Sequence, residues 1–311
     1  MQRVAQNPSV SVIVPVRDGE ATIAACLDAI LSTDYPEDRR EVIVVDNGSS
    51  DGTAELIRSR PVRYLHEPEP GVSNARNRGI AESAGEILAF VDADCLVEPQ
   101  WLSELVRPFE DPEVGAVAGD LQHTPPRTAA ERQAVRLLGN WQRFAFTSDP
   151  AYPITANAAY RRDVLDRIGG FDPAMTRAQD VELGLRFQQR SGLRLAYAER
   201  ATARHRNRTT QLGFFRQQLG WAYGAGLVGA KFEAMGGDPV RPPRAREIAR
   251  TGRGLAIVTW AKLRRRGERR WIEDAWFDLL RQLAWWIGAR AGLRRGARIW
   301  SGGPPASPAE P

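Results

Sequence analysis

The chain has 311 residues, of which 42% are hydrophobic and 26% are charged. This composition is typical of a soluble globular protein rather than a disordered one. Two cysteines, Cys26 and Cys95, are too few for a disulfide framework and lack metal-ligand spacing, so we expect small buried side chains. The net charge of +5 is uneven, because residues 241–311 hold 16 Lys and Arg against 6 Asp and Glu.

The sequence contains no recognisable export or membrane-spanning segment. The apolar run at residues 10–16 is short, contains Pro15 and is not followed by a cleavage site. The longest later candidate, residues 219–230, is shorter than the roughly 18 uncharged apolar residues that a span requires. We therefore expect a cytoplasmic protein.

Apolar runs and helical spacings alternate through the first 120 residues. The apolar runs predict strands at residues 10–14, 41–45, 62–65, 86–91 and 114–118. The helical spacings predict helices at residues 20–31, 51–59, 74–84 and 101–109. Repeated strand–helix units joined by short loops predict an α/β protein with a mostly parallel sheet.

The pattern weakens after residue 121. We predict helices at residues 129–146 and 178–189, and strands at residues 193–197 and 201–205. Residues 1–240 are thus predicted to form the α/β domain. Residues 241–311 form a basic tail that holds six of the nine tryptophans, and we expect this tail to be helical.

The sequence Asp92-Ala93-Asp94 directly follows the predicted strand at residues 86–91. Open α/β sheets bind their ligands at the carboxyl ends of such strands. Two nearby carboxylates suit Mg²⁺ or Mn²⁺, and such an ion usually also binds substrate phosphates. The alternative is an acidic turn without a ligand, because Asp is common in turns.

Three other polar segments accompany this pair on consecutive strand–helix units. Residues 15–19 follow the first strand, residues 45–53 follow the second, and residues 71–79 precede a helix. Each segment alone could be an ordinary loop. All four in this order indicate a site for a sugar nucleotide.

With these motifs, the sequence resembles the inverting glycosyltransferases of family 2, which have the A-type nucleotide-sugar-binding fold. The resemblance runs from about residue 10 to about residue 205, and includes Ala156-Asn157, Gly169-Gly170-Phe171-Asp172 and Gln179-Asp180. It implies a single Rossmann-like, mixed and mostly parallel sheet flanked by helices, with a C-terminal helical extension. It also implies metal-dependent transfer of a sugar from a nucleoside diphosphate, with UDP favoured, to a hydroxyl acceptor.

The resemblance also implies a role for individual residues. Asp46 would bind the base, Arg76 would face the base and phosphates, and Asp92 would meet the ribose. Asp94 and His205 would hold Mn²⁺ or Mg²⁺, and Asp180 would be the catalytic base. The implied donor-binding residues are Pro15, Val16, Asp46, Arg76, Asp92 and Ala93.

Two positions depart from the family pattern. Asp18, preceded by Arg17, replaces the common Asn after the first strand. Asn47 replaces the second aspartate that often follows Asp46. Because both positions border the expected base pocket, the donor nucleotide stays open.

The basic tail contains a helical apolar pattern made by Ile272, Trp276, Leu279, Leu280, Leu283 and Ile287. Arginine clusters flank it at residues 264–266, 269–270 and 294–295. An amphipathic helix of this kind favours an anionic membrane surface, and the acceptor would then be lipid-linked or part of the cell envelope. The protein would lie at the inner face of the plasma membrane. The alternative is a helix that packs on the catalytic domain, and no nucleic-acid partner is predicted.

Two alternatives to sugar transfer are less well supported by the residues present. A sugar nucleotidyltransferase would need a Gly-rich basic loop near the N-terminus and a catalytic lysine, whereas the only lysines are Lys231 and Lys262. A non-catalytic nucleotide-sugar or membrane-binding module is the other alternative. The presence of Asp94, Asp180 and His205 argues against it.

Overall fold

The computed structural model describes residues 7–234, residue 253 and residues 269–300. Side chains are described from residue 274 onward in the last segment, so Ile272, Glu273 and the arginines at 264–266 and 269–270 lie outside the described side chains. The strands are β1 Val10–Val16, β2 Arg40–Asp46, β3 Arg63–His66, β4 Ile87–Val91, β5 Cys95–Val97, β6 Val114–His123, β7 Asn157–Arg161 and β8 Arg194–His205.

The described helices cover the two faces of the sheet or form a separate unit. They are α1 Ile23–Leu31, α2 Thr53–Arg58, α3 Val72–Glu82, α4 Trp101–Val106, α5 Ala129–Leu138, α6 Trp141–Thr147, α7 Arg162–Ile168, α8 Gln179–Arg190, α9 Gln211–Ala234 and α10 Arg269–Trp300. Short 3₁₀ turns at Glu37–Arg39 and Arg107–Glu110 precede β2 and β6.

The described strands form one sheet in the order β3-β2-β1-β4-β7-β6-β8-β5. The strands β3, β2, β1 and β4 are all parallel to their neighbours in this group. Strand β7 runs antiparallel between β4 and β6, β8 is parallel to β6, and β5 is antiparallel to β8. The predicted single, mixed and mostly parallel sheet is confirmed.

Strands β1 and β4 lie inside the sheet, and all of their residues are buried. This explains why their sequences are continuous apolar runs rather than alternating ones. Helix α1 covers one face with Ile23, Leu27 and Ile30, which recur at helical spacing and are inaccessible to solvent. The packing of helix α1 on the sheet thus helps to fix the carboxyl ends of the parallel strands.

The fold differs from the sequence prediction at several elements. The single helix predicted at residues 129–146 is divided into α5 and α6, because Gly139 has φ +49° and Asn140 caps α6 by accepting a hydrogen bond from the Arg143 N–H. The two strands predicted at residues 193–197 and 201–205 are one strand, β8, whose pairing shifts register opposite Gly119 and Asp120. Strands β5 and β7 and helices α7 and α9 were not predicted.

Asn157, one of the residues that carry the family resemblance, connects strands from inside the sheet. Its Oδ1 accepts a hydrogen bond of 2.7 Å from Trp101 Nε1, and its Nδ2 donates to the carbonyls of Asp120 (2.7 Å) and Ala201 (2.8 Å). The side chain is completely buried. Its amide is therefore used by the fold rather than presented to a ligand.

The chain divides into two compact units. One contains the whole sheet and comprises the described residues up to Thr124 together with Gly139–Arg206. The other comprises the described residues of Pro125–Leu138 and of the chain after Arg206, and so contains α5, α9 and α10. Helices α5 and α9 therefore associate with the C-terminal helix, although both precede residue 240, where we placed the domain boundary.

Within the second unit, α9 and α10 run parallel, with Gln211 contacting Trp276 and Gln218 contacting Trp285. Small residues allow their backbones to approach closely. A Cβ atom at Gly292 would overlap the carbonyl group of Tyr223. None of the helices in the described ranges has the length and apolar character needed to cross a membrane.

We expect Gly292→Val to destabilise the α9–α10 pair by about 1–3 kcal/mol, because the new side chain forces the two backbones apart. Thermal unfolding followed by circular dichroism measures this loss. Ala291→Val is the matched control, since Ala291 is exposed on the same helix. Equal stability of the two variants would contradict the close backbone contact.

Candidate active site

The carboxyl ends of β1, β2 and β4 bring the predicted donor residues to one edge of the sheet. Val16 and Asp46 are register partners, and the Val16 carbonyl accepts a 2.8 Å hydrogen bond from the Asn47 N–H. Asp92 follows β4 directly, and β4 is parallel to β1. Pro15, at the end of β1, therefore lies at the edge that also holds Asp46 and Asp92, and half-buried Ala93 continues the turn.

Asp46 is only 2% exposed, and each of its carboxylate oxygens accepts one hydrogen bond. The Ser49 N–H donates to Oδ1 at 2.8 Å, and the Tyr64 hydroxyl donates to Oδ2 at 3.1 Å. Burial and the nearby Asp46 raise the pKa of Tyr64, which keeps this hydroxyl protonated. A carboxylate has about four lone-pair sites, so Asp46 retains acceptor capacity for a ligand.

Asp18 and Asn47, which depart from the family pattern, both form hydrogen bonds to neighbouring loops. Asn47 Nδ2 donates to the carbonyls of Glu67 (3.0 Å) and Glu69 (2.7 Å), while its Oδ1 accepts from the Gly71 N–H at 2.7 Å. Asp18 Oδ1 accepts from the backbone N–H of Ser50 at 2.8 Å and from its hydroxyl at 3.1 Å. An aspartate at position 47 could not donate either of the two bonds to carbonyls.

Arg76, on α3, is 5% exposed and lies against the end of β4. Its Nη2 is 3.0 Å from Asp92 Oδ1, and its guanidinium carbon lies 5.3 Å from the centre of the Phe171 ring. Its Nε is buried and has no hydrogen-bond partner among the described residues. Because buried donors are normally satisfied, this atom is a candidate contact for an anionic ligand.

Helix α3 also holds the segment that leads to Asp180. Asn77 Nδ2 donates to the Phe171 carbonyl at 2.7 Å, and Asn77 Oδ1 accepts from the Phe171 N–H at 2.8 Å. The Ser73 hydroxyl donates to the Met175 carbonyl at 3.1 Å. Sequence reasoning assigned no role to Asn77 or to Tyr64. The available signals were that Asn77 follows Arg76 in a motif and that Tyr64 lies on the strand beside Asp46.

Asp94 and His205, the predicted metal ligands, are neighbours, with His205 Nε2 3.5 Å from Asp94 Oδ1. Antiparallel pairing of β5 with β8 brings them together, because Cys95 is the register partner of His205. Trp141 lies edge-on to the buried imidazole at 5.5 Å between ring centres. The main chain adds a 2.9 Å bond from the Arg206 N–H to the Asp94 carbonyl.

A carboxylate oxygen and an imidazole nitrogen are suitable ligands for a divalent cation. His205 Nδ1 is buried and has no partner in the described part of the chain, so the ring is oriented by packing and by the Asp94 contact. No group of three or more His, Cys, Asp or Glu with metal-binding geometry occurs among the described residues. The donor pair therefore fits an ion that takes its other ligands from water and phosphate oxygens.

Asp180 lies in the first turn of α8, as predicted, after Ala178 with φ +55°. Its Oδ1 accepts a 2.9 Å hydrogen bond from the Val181 N–H. Burial raises the pKa of Asp180 above its ordinary value, with a contribution from Asp92, while the Arg76 guanidinium opposes the rise. A carboxyl with a raised pKa is better matched to proton abstraction near neutral pH.

The two cysteines lie beneath the aspartate pair. Both are fully buried free thiols, and the Cys26 thiol donates to the Asp92 carbonyl at 3.6 Å. Burial raises the pKa of both thiols well above the usual range, and the charges of Asp94 and Asp92 add to this effect. The prediction of small buried side chains is confirmed.

Comparison with known proteins identifies the family. The family model described as "Glycosyl transferase family 2" matches residues 11–169, just over half of the chain. The chain belongs to glycosyl transferase family 2. The matched residues include the predicted donor-binding positions and Asp94, while Asp180 and His205 lie beyond them.

Two relatives extend this likeness. Glycosyltransferase AglE of Haloferax volcanii is 38% identical over 182 residues, which cover 56% of this chain. Probable glycosyltransferase YdaM of Bacillus subtilis is 29% identical over 256 residues, which cover 75% of this chain. The chain spans 59% of the length of each of these two relatives.

Solved structures of other glycosyltransferases share the fold. Mannosyltransferase PcManGT from Pyrobaculum calidifontis, in complex with GDP-Man and Mn²⁺, superposes with a TM-score of 0.61 at 23% identity, covering 89% of this chain and 86% of that one. S. aureus TarS 1-349, in complex with UDP-GlcNAc, gives a TM-score of 0.53 at 18% identity, covering 72% and 71%. The predicted A-type glycosyltransferase fold is confirmed.

We expect Asn47→Asp to destabilise this family 2 protein by about 1–3 kcal/mol, because the new carboxylate faces two backbone carbonyls without a proton to donate. Denaturant unfolding measures the loss. Asp18→Asn is the control, since Asp18 Oδ1 only accepts hydrogen bonds and an Asn oxygen can replace it. An equally small effect at both positions would show that the Asn47 amide does not hold the loop.

We expect Asp180→Asn to stabilise the protein at neutral pH. Because the pKa of Asp180 is higher in the folded state than in the unfolded state, ionisation of Asp180 opposes folding. The wild type therefore loses stability as the pH rises from the unfolded-state pKa through the folded-state pKa. The advantage of the Asn variant should therefore be small at low pH and larger at neutral pH, as measured by denaturant unfolding across pH.

Asp111→Asn is a control for which we expect the opposite change in stability. Hydrogen bonds from the Glu113 N–H and from Arg194 lower the pKa of Asp111, so ionised Asp111 favours folding and its replacement should reduce stability at neutral pH. A destabilising effect of Asp180→Asn at neutral pH would contradict the proposed environment of Asp180.

Proposed function

We propose that this family 2 protein is an inverting, metal-dependent glycosyltransferase that moves a sugar from a nucleoside-diphosphate sugar to a hydroxyl acceptor. The observation that carries the proposal is that Asp180 lies within the electrostatic influence of Arg76 and Asp92. A half-buried carboxyl with a raised pKa thus senses a buried guanidinium whose Nε has no hydrogen-bond partner among the described residues. This combination suits a base beside an anion-binding group.

The donor nucleotide is proposed to bind across the ends of β1, β2 and β4. Asp46 retains acceptor capacity for a base N–H, and the N3–H of uracil is such a donor, so UDP is favoured. Pro15 and Val16 would border the base, while Asp92 and Ala93 would lie near the ribose. Arg76 would bind the phosphates through its free Nε.

Asp94 and His205 are proposed to hold Mn²⁺ or Mg²⁺ together with the diphosphate. PcManGT, which shares the fold, contains Mn²⁺ in its complex with GDP-Man. When bound, such an ion stabilises negative charge on the departing diphosphate as a Lewis acid. The limited donor set of the described chain is consistent with an ion that needs phosphate ligands.

The proposed chemistry is a direct displacement. The acceptor oxygen forms a bond to the anomeric carbon on the face opposite the diphosphate, whose bond to that carbon breaks, so the configuration inverts. Asp180 takes the proton from the acceptor hydroxyl. General-base catalysis of this type typically contributes ~10²–10⁴-fold to the rate.

The acceptor is proposed to be a lipid-linked or cell-envelope hydroxyl at the inner face of the plasma membrane. The support is the concentration of positive charge and tryptophan in residues 241–311.

A donor screen tests the proposed function. UDP and GDP are first titrated by calorimetry with and without Mn²⁺, and the corresponding sugar nucleotides are then assayed for released nucleoside diphosphate. We expect Asp180→Asn to lower turnover about 10²–10⁴-fold while donor affinity stays within a few-fold of the wild type, because the variant keeps the donor site but loses the base. Asp94→Asn should remove the Mn²⁺ dependence of nucleotide binding.

Asp166→Asn is the matched control, because Asp166 is exposed on α7 and is not placed in the site. Turnover by this control should equal that of the wild type. Full turnover by Asp180→Asn would disprove the base assignment, and absence of binding to either nucleotide would disprove the proposed donor site.

A further inference from the structure

Helix α10 buries its small residues against the other helices of its own unit. Ala284, Gly288 and Gly292 are buried, and Gly288 and Gly292 meet the backbone of α9. Phe277 packs edge-on against Phe214 of α9, with 5.1 Å between ring centres. The closest backbone contacts with α9 are therefore made by small residues, although Trp276 also contacts Gln211 of α9.

The opposite side of α10 carries a stripe of large apolar residues followed by arginines. At 3.6 residues per turn, these positions fall within a sector of roughly 60° and extend for about 33 Å. We call this set the outer stripe, and it comprises Trp276, Leu283, Ile287, Arg294 and Arg298.

Two of the three apolar residues of the outer stripe are exposed to solvent, and Leu283 between them is half-buried. Trp276 is 44% exposed and Ile287 is 45% exposed. Leu212 of α9, next to the Trp276 partner Gln211, is 56% exposed. Of the five large hydrophobic side chains that are exposed among the described residues, four lie on α9 and α10, and the fifth is Phe144 on α6. The exposure is thus concentrated in one helical unit.

The basic half of the stripe has its charge exposed. Arg294 and Arg298 face outward, with Arg295 beside them. The α10 acids whose side chains are described, Asp274 and Asp278, are both directed to Arg136 of α5, at 3.7 and 3.0 Å. Both of these acids therefore pair with α5.

We propose that the outer stripe is a docking surface for an anionic lipid bilayer, with α10 lying in the plane of the interface. Trp276 and Ile287 would enter the boundary between headgroups and acyl chains, and Arg294 and Arg298 would bind anionic headgroups. A nucleic acid supplies phosphates but no apolar phase for the tryptophan end. A second copy that docks through its own outer stripe supplies an apolar face but no carboxylate for the arginines, because none of the five stripe residues is acidic.

This surface deepens the proposed function, because it specifies how the enzyme reaches a membrane-borne acceptor. It rests on that function only for the identity of the acceptor, since lipid binding requires neither donor nor turnover. Vesicle binding and nucleotide binding can therefore fail independently of one another.

The test is flotation of the full chain with vesicles of phosphatidylcholine alone or of equal parts phosphatidylcholine and phosphatidylglycerol, at low and high salt. We expect binding to the anionic vesicles only, weakened by salt. Arg294→Gln with Arg298→Gln should weaken binding about 25-fold at low salt, at about fivefold per arginine. Trp276→Ser with Ile287→Ser should also weaken binding but should leave its salt dependence in place.

Matched controls change equivalent residues of the sheet unit. Arg167→Gln with Arg190→Gln removes the same charge from exposed positions on α7 and α8, and Phe144→Ser removes an exposed aromatic residue that is 72% accessible. These controls should bind vesicles like the wild type. All variants should retain the circular dichroism spectrum and the UDP or GDP affinity of the wild type.

Three results would overturn the proposal. Equal binding to neutral and anionic vesicles would exclude headgroup recognition, and wild-type binding by both outer-stripe variants would exclude this surface. A concentration-dependent dimer that the Trp276→Ser, Ile287→Ser variant abolishes, without vesicle binding by the wild type, would assign the stripe to a second copy.

Discussion

The arrangement of the candidate site depends on one buried positive charge. Arg76 is 5% exposed, so its guanidinium must be compensated by nearby groups. Asp92 supplies a direct partner at 3.0 Å, the Phe171 ring covers the group, and Asp180 lies within its electrostatic influence. The end of β4 is therefore held by this charge, and the charge also acts on the carboxyl of Asp180 at the start of α8.

Helix α3, which carries Arg76, also positions other parts of the candidate site. Asn77 and Ser73, on the same helix as Arg76, hold the segment that precedes α8 through three hydrogen bonds to backbone groups. The same helix begins beside Gly71, whose N–H binds Asn47 next to Asp46. One helix thus links the end of the candidate site that contains Asp46 to the position of Asp180.

Sequence reasoning succeeded where local pattern and burial agree. Strands β1 and β4 are continuous apolar runs because both of their faces are covered, so they could be predicted. Strand β5 has only three residues, and β7 has the sequence Asn-Ala-Ala-Tyr-Arg, which lacks β-branched residues. Both are strands because of their antiparallel partners, β8 for the first and β4 and β6 for the second, and no local signal reports those partners.

The difference between local signals and contacts with distant residues also applies to the site and to the C-terminal helix. Residues at strand ends could be predicted as a group, whereas Tyr64 and Asn77 act through contacts with other parts of the chain. In α10, the sequence revealed the apolar stripe but not which side the helix buries, because glycine and alanine give little hydrophobic signal although they permit the closest contacts.

The helical unit is built from segments that are far apart in the sequence, and this has a consequence for synthesis on the ribosome. Gln133 of α5 bonds to Asp274 of α10 across 141 residues, whereas every described strand has been made once His205 emerges. The sheet can therefore fold during translation, but the buried side of α5, with Ala130 and Ala134, waits for a helix made much later. During that interval the nascent chain carries an assembled sheet and an incomplete helical unit, in which both α5 and the apolar side of α9, with Phe214, lack their partner helix.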